Sequence, residues 1–95
     1  MSFRFEWDSQ KAAVNLRKHR VSFDEARTVF NDSLARIFDD PAHSKDERRE
    51  ILIGHSVAGR LLIVSFTERG EAIRIISARL TTRRERQDYE ENVGP

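Results

Sequence analysis

The chain has 95 residues, 38% hydrophobic and 35% charged, with no cysteine and a formal net charge of +1. That length supports one domain over residues 1–95 with a modest core, and the composition is that of a charge-rich globular protein, not a disordered one. The missing cysteines exclude a disulfide framework, a thiolate metal site and a Cys nucleophile, and fit a reducing cytoplasm. Met1-Ser2-Phe3-Arg4 has no signal-peptide character and no apolar run reaches the ~18 residues of a membrane span, so a soluble cytoplasmic protein is expected.

Phe3, Phe5 and Trp7 alternate with Arg4 and Glu6, which predicts a short strand with one aromatic face. Asp8 then caps a helix from about Ser9 to His19, with Ala12, Ala13 and Leu16 as a narrow apolar stripe. Arg17, Lys18, His19 and Arg20 close it, either as solvated complements of the helix dipole or as a basic patch. Ser22 with Glu25 is a capping box for a second helix reaching about Asn31, its Phe23, Ala26, Val29 and Phe30 assigned to the core. A strand at Leu34 to Asp39 leads to a polar loop from Asp40-Pro41 through Glu47.

Strand-like runs at 49–57, 60–68 and 73–78 are separated only by Ala58-Gly59 and Arg69-Gly70, which predicts an antiparallel meander. Thr82 with Glu85 is a third capping box and opens the last helix, followed by a tail from Asn92. The order β-α-α-β-β-β-β-α segregates helices from strands. It therefore predicts an α+β fold, an antiparallel β-sheet with helices packed on one face. Leu61 and Ile63 alternate with Leu62, Val64 and Phe66, so both faces of that strand are apolar and the second must be covered by the last helix or by another chain.

The chemistry concentrates where the last strand meets the last helix. Arg79 ends the strand, Arg83, Arg84 and Arg86 occupy the first helical turns, and Tyr89 follows. Guanidiniums beside a helix N-terminus make an anion site suited to phosphate. His19, His43 and His55 have no ligand neighbours at metal-site spacing, Gly54-His55-Ser56 lacks a hydrolase elbow, and no glycine loop cradles phosphate.

What remains suffices for RNA cleavage without a metal, which needs a base for the 2′-hydroxyl, cations for the phosphorane and an acid for the leaving oxygen. Arg79 and Arg83 suit the cationic part, His19 or Glu68 the base, and His19 or Tyr89 the acid. Lys18, Arg69, Arg74, Arg84 and Arg86 are the candidate RNA contacts. A blander account of the arginine-rich helix is a solvated face with i, i+4 pairs such as Arg86 with Glu90. A nucleic-acid-binding module without chemistry, or a purely structural subunit, remains an alternative reading.

The segments Lys18-His19-Arg20-Val21-Ser22-Phe23-Asp24-Glu25-Ala26, Thr67-Glu68-Arg69-Gly70, Arg74-Ile75-Ile76-Ser77-Ala78-Arg79 and Arg83-Arg84-Glu85-Arg86 with Tyr89 resemble, in order and spacing, the BrnT family of bacterial toxins. The resemblance runs from Phe5 to Glu91. It implies a RelE-like fold and a ribonuclease toxin of a type II toxin–antitoxin system that arrests translation. It also implies a BrnA antitoxin with a ribbon-helix-helix part as partner, in a complex of two toxins and two antitoxins. Two positions depart from the family pattern: Arg20 stands where Gly is common, so it must avoid positive φ or accept a cost of ~1 kcal/mol, and Thr81 replaces a frequent Ala.

Overall fold

The computed structural model describes residues 4–43 and 45–93. Phe3, expected in the first strand, and Gly94 and Pro95 of the expected tail lie outside them. The elements are β1 (Arg4–Glu6), α1 (Ser9–His19), α2 (Phe23–Thr28), β2 (Arg36–Asp39), β3 (Glu50–His55), β4 (Leu61–Arg69), β5 (Ala72–Leu80) and α3 (Arg83–Val93). The fold is α+β with the element order read from the sequence. The differences are local: α2 tightens into a 3-10 turn at Val29–Asn31, β2 begins at Arg36 because Leu34 lies in a turn, Pro41–His43 of the polar loop forms a 3-10 turn, and α3 continues through Asn92.

The sheet has the order β1-β5-β4-β3-β2. β2 to β5 form the antiparallel meander, with an irregularity between Ser65 and Phe66. β1 joins the edge parallel to β5, placing Phe5 beside Ile73 and Glu6 beside Arg74, so the sheet is mixed. The pairing aligns Phe5 with the core face and Glu6 with Arg74, whose Nη1 donates to Glu6 Oε2 at 2.9 Å.

One face of the sheet presents Leu52, Leu62, Val64, Phe66 and Ile75 to Val21, Phe23, Ala26 and Val29, and this is the main core. Burying such side chains contributes roughly 1.5–3 kcal/mol each. Gly54 lies on this face, where the 3-10 turn and the segment after it come so close that a Cβ would lie 2.8 Å from Ala35 Cβ and 3.0 Å from Val29 Cγ1. The expectation of helices on one face describes α1 and α2. The last helix lies over the opposite face, above the cross-strand row Arg36, Ile53, Ile63 and Arg79, so Leu61 and Ile63 are buried without a partner chain.

α1 is turned differently from the expected stripe. Ala12 is half-buried, but Ala13 and Leu16 are exposed and the buried position is Asn15. The cause is the sheet edge. β1 covers β5 only from Ala72 to Arg74, and Asn15 reaches the backbone of β5 beyond it, accepting from Ala78 N at 3.1 Å and donating to Ala78 O at 2.8 Å and to Val21 O at 2.9 Å. Arg20 ends α1 in the left-handed region, φ 59° and ψ 31°, with its N–H on Leu16 O. It thus takes the left-handed conformation that a glycine adopts at less cost.

Candidate active site at the junction of β5 and α3

Arg79 is opposite Ile63 in the β4–β5 ladder, which fixes its backbone and sends its side chain to the face under α3. Two residues after β5 ends, the Thr82 hydroxyl accepts from Glu85 N at 3.1 Å and Glu85 Oε1 accepts from Thr82 N at 2.7 Å, a reciprocal capping box. The same carboxylate holds the arginine: Arg79 Nη1 donates to Glu85 Oε1 and Nη2 to Oε2, each at 2.9 Å. Nη1 also donates to Leu80 O at 3.2 Å.

A guanidinium has five N–H donors, and these bonds use three of them, all at its tip. Among the described residues nothing takes the Nε–H and the second Nη2–H, which together form the side fork of the group. A planar two-donor edge of this kind matches two oxygens of a phosphate. Arg79 is therefore both paired and available. The hydrogen bonds from Arg79, with the cap bond from Thr82 behind them, outweigh burial and lower the Glu85 carboxyl to about 2, while Arg79 is pushed up, chiefly by its hydrogen bond to Glu85.

Arg83 and Arg84 project from the first turn of α3 into solvent, without an ion pair among the described residues. Arg86 is exposed and sits 3.9 Å from Glu90, the surface pair that the spacing suggested. On the other flank, Lys18 and His19 line a groove between α1 and the open edge of β5, together with Asn15, Ile76 and Ser77. Ser77 precedes Arg79 by two residues on one strand, about 7 Å away and on the same face. The structure thus gathers Arg79 and Arg83 at the helix start and sets Lys18 and His19 along the strand edge leading to them.

The remaining candidates are placed elsewhere. Glu68 is five residues along β4 from Ile63, the partner of Arg79, hence about 17 Å away at the far end of the sheet. It lines a separate cavity there with Arg69, Arg48 and Thr67. Arg74 is at that end too, paired with Glu6. Tyr89 is on α3 one turn beyond Glu85 but is buried, its hydroxyl donating to Leu34 O at 3.1 Å and its ring edge-on to His55. Burial pushes its phenol upward, and its hydroxyl is committed to holding α3 against the segment that enters β2.

Two side chains that position this region escaped sequence reasoning. Glu85 was legible as a cap but not as the holder of Arg79, although its spacing of six from Arg79 across a strand end is a usable signal. Asp32 was not singled out; its carboxylate accepts from His55 N at 2.7 Å and lies 3.8 Å from His55 Nδ1. Among the described residues no group of three His, Asp or Glu side chains could hold a metal ion, and no helix is long and apolar enough to cross a membrane.

Comparison with known proteins places this architecture. The crystal structure of the Brucella abortus ribonuclease toxin BrnT superimposes on it with a TM-score of 0.68 at 24% sequence identity, covering 86% of this chain and 100% of that one, a likeness of fold. No curated protein matches the sequence significantly. The profile of the family described as "Ribonuclease toxin, BrnT, of type II toxin-antitoxin system" matches residues 7–85 and takes in the strand, cap and arginines of the site. The chain belongs to the BrnT family of ribonuclease toxins.

Proposed function

We propose that this chain is an endoribonuclease that cuts RNA by metal-independent acid–base chemistry and thereby arrests translation in the cytoplasm. The observation that carries the reading is the side fork of Arg79, left open while Glu85 fixes the tip of the same guanidinium. An RNA phosphate seated on that fork lies beside Arg83 and the N-terminal turn of α3, where positive potential favours it.

In this reading the 2′-oxygen attacks phosphorus after losing its proton to a base, Arg79 and Arg83 stabilise the dianionic phosphorane, and the 5′-oxygen leaves with a proton from an acid. The products are a 2′,3′-cyclic phosphate and a 5′-hydroxyl. His19 is the acid–base residue best placed, at the strand edge beside Ser77. Lys18 and Arg84 extend the cationic track. Tyr89 acts by seating α3, Glu68, Arg69 and Arg74 lie at the far end of the sheet from the reacting centre, and Arg86 stands exposed on α3 beside Glu90.

The partner we assign is a BrnA-like antitoxin with a ribbon-helix-helix part, two copies of each chain forming the complex. Support comes from apolar side chains a lone toxin leaves in water: Leu34 and Ile37 beside the free edge of the sheet, 60% and 59% exposed. Coexpression with the adjacent reading frame and light scattering of the purified complex measure this directly. Failure to copurify removes the partner.

The test of the activity is incubation of antitoxin-free protein with single-stranded and structured RNA in EDTA, followed by mapping of ends. Cyclic or 3′-phosphate termini are expected. Ends bearing 3′-hydroxyl and 5′-phosphate, or loss of cutting on chelation, point to metal-activated water and overturn the mechanism. Binding without cleavage reduces the protein to an RNA-binding module.

A further inference from the structure

Between α3 and the strands β2 and β3 lies a cavity of about 250 Å³ whose floor is Phe38, Ile53 and Tyr89 and whose rim includes Arg36, Glu85 and Asp88. We propose that this cavity is a nucleobase subsite that takes one base of the RNA substrate, with guanine preferred. The inference rests on the ribonuclease reading above and adds to it the part of the substrate that the phosphate site cannot read.

Three observations converge. First, the cavity adjoins the cationic site through one residue. Glu85 is on its rim and simultaneously holds the tip of Arg79. Ile53, Ile63 and Arg79 are successive members of a cross-strand row, so the floor and the arginine are two strand spacings apart, about 10 Å. An RNA chain crosses that span in one to two nucleotides.

Second, the floor has the character of a stacking surface. Phe38 is 46% exposed although it projects from the sheet face that α3 covers, and Ile53 and the buried Tyr89 ring continue the apolar surface. Single-stranded RNA is held by stacking of unpaired bases on such aromatic faces. The volume is below the usual range for ligand pockets, which suits one planar ring system and is too small for a docked helix.

Third, the rim offers opposite hydrogen-bonding characters. Asp88 presents a carboxylate whose oxygens take no hydrogen bond among the described residues, Asn92 bonding only to its backbone oxygen. Arg36 donates through Nη1 to Asn92 O at 3.1 Å and keeps further N–H donors. A carboxylate that accepts two parallel N–H bonds and a guanidinium that donates to O6 and N7 describe the two edges of guanine. Uracil supplies a single N–H donor, adenine and cytosine one amino group each. The complementary pair on the rim therefore ranks guanine first.

The experiment is an NMR titration of the antitoxin-free protein with the 5′-monophosphates of guanosine, adenosine, cytidine and uridine, run beside the RNA cleavage assay. GMP is expected to shift the Phe38, Ile53 and Tyr89 resonances at the lowest concentration. Phe38→Ala should weaken GMP about tenfold, within the range for loss of one stacked base, and Asp88→Asn should remove the preference for GMP over UMP. Circular dichroism establishes that each variant is folded. Equal binding of the four nucleotides, shifts confined to Arg79 and Arg83, or an antitoxin-derived peptide moving the cavity resonances that no nucleotide moves would overturn the subsite. GMP shifts in a protein that cuts no RNA support the subsite and refute the ribonuclease reading, whereas cutting without cavity shifts does the reverse.

Discussion

The side-chain amide of Asn15 meets both backbone groups of Ala78, accepting from its N–H and donating to its carbonyl, in the manner of a neighbouring strand. A third bond, to Val21 O, ties the same amide to the chain entering α2. All of these groups are buried, so removing the amide leaves a donor and two acceptors unsatisfied. Asn15→Ala should destabilise the protein by about 3 kcal/mol, and Asn15→Asp by at least as much because a carboxylate then faces two carbonyls. Urea midpoints at constant m-value measure this; an unchanged midpoint for Asn15→Ala refutes the surrogate-strand role.

Arg79→Ala and Arg79→Lys should each lower turnover about a hundredfold, roughly 3 kcal/mol of transition-state stabilisation. Lysine keeps the charge but cannot serve Glu85 and a phosphate with two planar forks. Because Arg79 also holds Glu85, both variants should lose stability of about 1 kcal/mol, a modest value since the pair is partly solvated. Turnover and Tm measured on the same samples separate the two effects. A variant that melts lower but cuts at the wild-type rate would show Arg79 to be structural only.

Glu85 is held at about 2, below the 4.5 of the free carboxyl, so its stabilising contribution is full above about pH 4.5 and is lost as pH falls through about 2. Glu85→Gln retains an acceptor for the Thr82 cap but not the charge that fixes Arg79. It should lower kcat about tenfold with little change in KM, since the cation is misplaced rather than removed. Melting curves of the two proteins should converge towards pH 2. A Tm difference that persists there assigns the loss to packing instead.

Arg20→Gly should stabilise the protein by about 0.5–1 kcal/mol. The left-handed backbone costs an arginine more than a glycine, and the bond from Arg60 Nη2 is to Arg20 O, which the substitution preserves. Thermal denaturation resolves a change of this size, and a decrease in Tm would show that the Arg20 side chain contributes more than its backbone strain costs.

Local signals in the sequence were the informative ones. The Ser22–Glu25 and Thr82–Glu85 boxes identify helix starts because every atom involved is within three residues, and the short glycine turns oblige β3, β4 and β5 to pair in order. The parallel entry of β1 was not legible, since its partner is 68 residues away and a three-residue strand has no register signal of its own. Asn15 was hidden for a related reason. A helix stripe read from hydrophobicity puts Leu16 inward, whereas the incomplete edge of β5 demands a polar side chain there; the mismatch between a three-residue β1 and a nine-residue β5 is the only clue. Arginines close together in the sequence are likewise dispersed in the fold, because five residues of extended strand separate Arg74 from Arg79 by about 17 Å.

α3 spans the open side of the sheet between two arginine tethers, Arg79 at its first turn and Arg36 at Asn92 O, with Tyr89 as its buried anchor. An element secured at points, with so little apolar seam, should open as a cooperative unit before the α1–α2 core does. Its amides should exchange with deuterium by sub-global opening while those of β4 exchange only on complete unfolding. Each such opening breaks the capping box and frees the tip of Arg79, so the bidentate Arg79–Glu85 pair should last only as long as the first turn of α3 stays wound.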